Sequence, residues 1–295
     1  MPTLRIATRS SAQARAQSEA IGRLITTALP TVDIEYVFVD TQGDLNATTP
    51  LHQMGGQGVF VKEVQRAVLD QRADIAVHSA KDLPSLQADG LVIGAVGARR
   101  TPNDALVGKT LNELAHGATI ATGSVRRKAQ LSRLRPDLQF TDLRGNIQTR
   151  LSKVPHEGAI VMAVAALEIL GLTSEIAEIL PLDVAVPMVG QGSVAVEARS
   201  SDSATLEILA SIDHAESRRA VEAERAFLAE LGAGCSLPVA AHLSSDGVFR
   251  AFMATDDGSD SVQLEGTIGD SDDHVVVGVA MAIECRQRLS KHSGQ

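Results

Sequence analysis

A short apolar run, a helical period and another apolar run follow one another along this sequence, and that order restricts the fold more than any single motif. "TLRIATR" (3–9) reads as a strand. A helix over 12–29 follows, with Ala20, Ile21, Leu24, Ile25, Ala28 and Leu29 keeping the i, i+3, i+4 spacing. "DIEYVFVD" (33–40) alternates as a strand, "VFVKEVQRAVLDQ" (59–71) is helical, and "ADIAVHS" is a strand again. A β-α-β-α-β order calls for a sheet with crossover helices.

The order then recurs without obvious sequence identity. "ATIATGS" (118–124) reads as a strand, "SVRRKAQLSRLR" (124–135) as a helix capped by Ser124, "LQFTDLRG" as a strand, "NIQTRLSKV" as a helix, and "GAIVMAVAAL" as a strand running into a helix. "QGSVAVEARS" (191–200) is a late strand suited to return to the first lobe. Two α/β lobes with the chain crossing between them imply a cleft, with ligand at strand C-termini and helix N-termini. The tail differs: a long helix (215–231) ends at Gly232, and three strand-like runs (237–244, 248–255, 261–268) and a helix over about 273–289 close the chain. The expected domains are therefore 1–95 with 191–212, then 96–190, and an α+β unit at 213–295.

With 295 residues, 44% hydrophobic and 21% charged, the chain is long for one core and has the balance of a soluble globular protein. "MPTLRIATRSSAQ" has no apolar h-region and no stretch approaches a membrane span, so a cytoplasmic protein is expected. Two cysteines make neither a disulfide framework nor a metal quartet, and the eight histidines form no HxxxH or HExxH pattern, so no metal is expected. A net charge of -9, no Trp, one Tyr and six Phe argue against nucleic acid. Yet Arg126, Arg127, Lys128, Arg133, Arg135, Arg144 and Arg150 crowd one stretch. In an acidic protein that patch suits a small polyanion, or else a solvated helix face.

Two apparent signatures fail. "GKT" at 108–110 has Asn103 where a P-loop needs glycine, and "GQGSVA" (190–195) leads into a strand, as a tight turn does, rather than opening a helix. "ATGSVRRKAQLSRLR" places Arg126 and Arg127 in a first helical turn, where each cation costs about 0.3–1 kcal/mol against the dipole. An anion held by the helix N-terminus and the guanidinium forks would offset that cost. "RGNIQTR" repeats the corner, with Arg144, a cap at Asn146, and Arg150 one turn in. "ADIAVHSAKDLPS" (73–85) ends a buried strand in Lys81 and Asp82, either a solvated turn or a reaction centre at the mouth of the sheet. Cys235, on a glycine-flanked loop in "ELGAGCSLPV", is a candidate nucleophile or attachment point, whereas Cys285 in an apolar helix reads as buried and inert.

"HSAKDLPS", "ATGSVRRKAQL", "LRGNIQTRL", "VGQGSVAVEAR" and "AERAFLAELGAGCSLPVAAH" together resemble the porphobilinogen deaminase (hydroxymethylbilane synthase) family, in its order and spacing and over nearly the whole chain. The resemblance implies two type II periplasmic-binding-protein-like lobes around a cleft plus a small α+β domain. It implies a monomeric enzyme that joins four porphobilinogen molecules, with loss of ammonia, on a dipyrromethane cofactor linked by a thioether to Cys235. It assigns Asp82 the catalytic role, stabilising the cationic azafulvene formed when the amine leaves and shuttling protons. Lys81, Asp82, Ser124, Arg126 and Arg127 match cofactor-side positions, and Arg9, Ser11, Gln17, Arg144 and Arg150 substrate-side positions. "GGQGVFVKE" (55–63) corresponds to the mobile segment, with Phe60 and Lys62 retained.

The chain departs from the family at Ile169, where arginine is usual and would bind a substrate carboxylate. Losing one charged hydrogen-bond partner costs about 1.5–3 kcal/mol of binding. Gln57 in place of a usual lysine, and the missing cysteine near Arg199, are tolerable changes. Beside an active synthase, two alternatives are an impaired or repurposed homologue and a non-catalytic bilobed polyanion-binding protein.

Overall fold

The structure is a computed structural model describing residues 3–41, 58, 60–232 and 237–292. In the first lobe β1 (Thr3–Arg9) pairs in parallel with β2 (Asp33–Val39) and β3 (Ile75–Ser79). β10 (Val194–Arg199) lies antiparallel between β3 and β4 (Leu91–Val96), giving the order β2-β1-β3-β10-β4. The period-2 alternation of strands sends Leu4 and Ile6 to one face and Ala7 to the other. On the first face they meet Ile21 and Ile25 of α1 (Ala12–Ala28); on the second, Ala7 meets Val64, Ala67 and Val68 of α2 (Lys62–Leu69). The late strand thus returns to the first lobe, as its pattern predicts.

The second lobe repeats the plan. β6 (Thr119–Ala121) pairs in parallel with β7 (Gln139–Thr141) and β8 (Ala159–Ala163), while β5 (Asp104–Gly108) lies antiparallel between β8 and β9 (Glu178–Ile179). The order β7-β6-β8-β5-β9 matches that of the first sheet, each lobe borrowing as its fourth strand the one that follows a crossing. Its helices are α3 (Val125–Leu134), α4 (Ile147–Leu151) and α5 (Val164–Glu168). The crossings run from Gly97 to Asn103 and from Leu180 to Ser193, and β4 reaches Val96, one residue past the boundary read from the sequence.

β4, β5 and β9 are absent from the sequence reading, as is α6 (Ser203–Ala210). In β4 the run "LVIGAV" is broken by Gly94, a residue that usually weakens a strand. The structure explains it: a Cβ there would lie 2.5 Å from Leu209 of α6. The helix expected from 59 begins only at Lys62, after a turn with Gly58 at φ +86°.

The third unit packs β11 (Val239–Leu243), β12 (Val248–Ala254) and β13 (Ser261–Thr267), an antiparallel meander, against α7 (Ala215–Glu230) and α8 (His274–His292). Phe227, Phe249, Ala282 and Cys285 lie at its centre, and burial pushes the Cys285 thiol up to about 12, the inert cysteine expected. The sheet's other face carries Ala240, Phe252 and Ala254 onto Ala129 of α3, in the second lobe. No helix among the described residues is long and apolar enough to cross a membrane.

Candidate active site

β3 ends at Ser79 and turns at once into a single 3-10 turn, Ala80–Asp82, that Leu83 and Pro84 terminate. Two contacts fix the turn. Ser79 Oγ exchanges hydrogen bonds with the Gln17 amide of α1 at 2.9 and 3.1 Å, and Ala80 N–H donates to Ser193 O at 3.0 Å. Beneath it lies the tight turn read from "GQGSVA". Gly190 and Gly192 both have positive φ, and a Cβ on Gly190 would stand 3.0 Å from Ala80. Only glycine lets that turn approach so closely in this conformation.

Gln191, between those glycines, joins the lobes. Its Oε1 accepts from Lys81 Nζ at 3.4 Å, and its Nε2 donates to Pro102 O at 2.7 Å and to Asp104 Oδ1 at 2.8 Å. Asp104, fully buried at the start of β5, also receives Arg126 Nη2 at 2.8 Å and Arg127 Nη2 at 2.6 Å. Burial alone would raise its carboxyl, but the two guanidiniums hold it well below the usual carboxylate range. The anion offsetting two arginines in the first turn of α3 is therefore, in part, internal. Each keeps donors in reserve: one Nη1 bonds Val186 O and the other Val161 O, while both Nε atoms are buried without a hydrogen-bond partner among the described residues.

The remaining basic groups face the turn from the second lobe. Ser124 caps α3, accepting from Arg127 N–H at 3.4 Å, and Asn146 caps α4, accepting from Thr149 N–H at 2.9 Å. Arg150 donates Nε to Gly145 O at 2.8 Å. Burial, then Arg127 and Arg144, lower it to about 10, with the Asp82 carboxylate opposing them. Lys81 is lowered to about 8 by burial and then by Arg127, against Asp82 and Asp104. Burial also lowers Arg144, against Asp142. Cations from both lobes thus crowd around Asp82, a setting that attracts carboxylates.

At the same edge of the first sheet, where β1 ends at Arg9 beside the end of β3, the Arg9 guanidinium lies over the Phe60 ring, 4.1 Å from its centre. Gly58 packs toward Pro84 and the Lys62 stem, so the described end of the 55–63 segment stands beside the Asp82 turn. Ser11 is the N-cap of α1, accepting from Ala14 N–H at 3.3 Å.

The sequence-derived residues thus divide. Lys81, Asp82, Arg126, Arg127, Arg144 and Arg150 share one electrostatic neighbourhood, Gln17 braces it, and Ser11 and Ser124 serve as helix caps. Cys235 lies outside the described residues, as does most of the 55–63 segment, Gln57 included. The chain leaves α7 at Gly232 and re-enters at Leu237, two residues before β11, whose Ala240 packs with Ala129 of α3. Ile169 ends α5, half-buried, its N–H donating to Ala165 O at 3.2 Å. Asp104, Gln191 and Glu224 were not picked out from the sequence. The only signal for Asp104 was indirect, two arginines in a first turn with no acid nearby.

A family model described as "Porphobilinogen deaminase, dipyromethane cofactor binding domain" matches residues 4–207, and "Porphobilinogen deaminase, C-terminal domain" matches 218–287. A curated porphobilinogen deaminase of Syntrophotalea carbinolica is 44% identical, covering 81% of this chain and 78% of the relative. One of Roseiflexus sp. is 42% identical, covering 96% and 95%. Among solved structures, the methionine binding protein MetQ matches with a TM-score of 0.44 at 12% identity, covering 77% of this chain and 94% of that one. Two adjoining domain models in the right order, and relatives above 40% identity along most of their length, place the chain in the porphobilinogen deaminase family.

Proposed function

We propose that Asp82 is the catalytic carboxylate, that Cys235 carries the cofactor, and that the basic wall around Asp82 binds carboxylates of the pyrrole chain. The reaction itself follows from the family: a hydroxymethylbilane synthase condenses four porphobilinogen molecules head to tail, releases ammonia at each step and frees the linear tetrapyrrole by hydrolysis. When bound, dipyrromethane supplies the primer on which that chain grows.

The residues present suit such a group. Its pyrroles carry acetates and propionates, and Lys81, Arg126 and Arg127 offer a cationic wall in which both arginine Nε atoms are buried and unused. Ser124 and the first turn of α3 add backbone donors. Arg9, Ser11, Gln17, Arg144 and Arg150 form the substrate-side set, with Phe60 and Lys62 at the edge. As ammonia leaves porphobilinogen, positive charge spreads over the pyrrole; a carboxylate at the pyrrole N–H stabilises it and takes up the proton lost on rearomatisation. Asp82 carries this reading because its carboxylate acts on Arg150 of the other lobe and on its own neighbour Lys81. The working form is a cytoplasmic monomer that meets porphobilinogen rather than nucleic acid or membrane, in keeping with its net charge of -9.

Intact mass of the purified protein, before and after porphobilinogen, tests the assignment. The expected result is an excess of two linked pyrroles that Cys235→Ser abolishes, and a ladder of single-pyrrole additions that returns to the starting mass. Asp82→Asn should keep the excess and lose about 10²–10⁴-fold in rate. A normal ladder in Asp82→Asn, or an unchanged mass in Cys235→Ser, would overturn the respective role.

A further inference from the structure

Arg99 and Arg100 are neighbours on the first crossing with opposite fates. Arg99 is committed to Glu224 through both terminal nitrogens. Arg100 is exposed, and its guanidinium has no hydrogen-bond or ion-pair partner among the described residues. Its backbone is nevertheless fixed. The Arg100 N–H donates to Gly192 O at 3.0 Å, and the next residue, Thr101, donates its hydroxyl to Glu168 Oε1 of α5 at 2.5 Å. The backbone is thus held in place while the guanidinium stays available to a ligand.

Its position points to the task. Arg100 lines the inter-lobe cleft together with Gln17, Ser79 and Lys81 of the first lobe and Ala165 and Ala166 of α5. Ile169 lies three and four residues beyond those alanines, so it continues the same helix face. The α5 residues lining the cleft are therefore alanines, and Ile169 at the end of the helix brings no cation to that face. The Glu168 carboxylate beside it is taken by Thr101 rather than by Arg100. Meanwhile each porphobilinogen added brings one acetate and one propionate, so the need for cations grows with the chain. Arg126 and Arg127 already spend two of their donors on Asp104. Arg100 adds to the cleft a further fork with no partner among the described residues.

We infer that Arg100 binds a carboxylate of the lengthening pyrrole chain, supplying from the inter-lobe crossing the cation that α5 lacks at Ile169. The inference rests on the synthase activity described above. It makes Arg100 a residue of elongation and not of cofactor loading, since it belongs to the crossing and its guanidinium makes no hydrogen bond or ion pair to Asp104, Arg126 or Arg127 among the described residues. A bidentate fork suits the planar carboxylate.

The test uses the cofactor-loaded enzyme and four variants: Arg100→Ala, Arg100→Lys, Ile169→Arg and Arg100→Ala with Ile169→Arg. Steady-state kinetics and intact mass after limiting porphobilinogen are measured for each. Arg100→Ala should purify with the same two-pyrrole excess and raise KM about 10- to 100-fold, with kcat changed less. Its mass ladder should stall at an intermediate that the wild type passes through. Arg100→Lys should recover much of the loss, and Ile169→Arg in the Arg100→Ala background should restore both KM and ladder. A KM within twofold of wild type and an unchanged ladder in Arg100→Ala would overturn the inference while leaving the synthase activity intact. So would loss of the two-pyrrole excess, which would move Arg100 to loading or folding. A wild-type protein that consumes no porphobilinogen would remove the synthase activity and this inference together.

Discussion

Arg99 and Glu224 close a bidentate pair, with Nη1 2.6 Å from Oε1 and Nη2 2.9 Å from Oε2, between the first crossing and the long helix of the third domain. The same carboxylate, fully buried, accepts Gly190 N–H of the second crossing at 2.7 Å and Leu243 N–H of β11 at 2.9 Å. His242 Nδ1 stands 3.4 Å away. One side chain therefore ties both inter-lobe crossings to the third domain, whose sheet packs against α3 and so against the basic wall. The relative placement of the lobes, which brings Asp82 opposite Arg150, depends on that knot.

Truncating Glu224 to Ala should therefore cost about 3–5 kcal/mol, because Arg99 and two backbone N–H groups are left buried without their partner. Chemical denaturation reads the loss. The carboxyl is held down at about 2 against an ordinary 4.5, chiefly by Arg99 and His242 overcoming burial. A depressed carboxyl contributes stability in full above its unfolded value and loses it as pH falls toward the folded one. Wild-type stability should thus decline between about pH 4.5 and 2, and Glu224→Gln should flatten that part of the profile.

Asp104 gives a second expectation. It neutralises Arg126 and Arg127 inside the second lobe and receives Gln191 from the crossing. Asp104→Ala strands two buried guanidiniums and should cost about 3–5 kcal/mol. Asp104→Asn keeps a hydrogen-bonding shape but lowers the local negative charge, so the surviving fold should bind carboxylates more tightly. Denaturation midpoints and cofactor retention by intact mass separate the two effects.

Much of this was legible beforehand, for a physical reason. The strands around Ile6 and Ile160 and the helices at 12–28 and 125–134 are long, periodic and capped by Ser11 and Ser124, so local pattern and final packing agree. Short pieces were not: β9 has two residues, and β4 is interrupted by Gly94, whose need appears only once Leu209 is packed against it. The site divides in the same way. Arg126 and Arg127 stand out because cations oppose a helix N-terminus, but their partner Asp104 is more than twenty residues away, on a strand paired from the other direction. Glu224 reads in sequence as one charge on a mixed-charge helix; only the convergence of two crossings makes it a hub.

Lys81 supplies a pH expectation. Burial and then Arg127 lower its ammonium to about 8, so the free site loses a cation as pH rises through that value. A bound carboxylate favours the charged form, so binding takes up a proton near and above that pH. Loading of the cofactor-free protein by porphobilinogen should therefore slow above about pH 8. Lys81→Arg, which stays charged, should remove that limb of the profile even where it lowers the maximum.

Gly190 offers the most local test of how the turn under Lys81 is built. Its φ is +72°, and an added Cβ would meet Ala80 at 3.0 Å and Lys81 N at 3.1 Å, backbone that Ser193 already pins from below. Gly190→Ala faces both the left-handed backbone, about 1–2 kcal/mol for an ordinary residue, and the contact. The contact has no flexible side chain to absorb it, so the Ala80–Asp82 turn must lift away from the 190–193 turn. That movement separates Lys81 from Gln191, now 3.4 Å apart, and carries Asp82 with it. The expected outcome is a modest loss of stability with a disproportionate loss of kcat and a shifted Lys81 pH limb. Gly171→Ala, at φ +67° with nothing within 4 Å of the new Cβ, is the control: the same backbone strain with activity retained. Equal losses of kcat in the two variants would show that the turn beneath Lys81 contributes no more than any left-handed glycine.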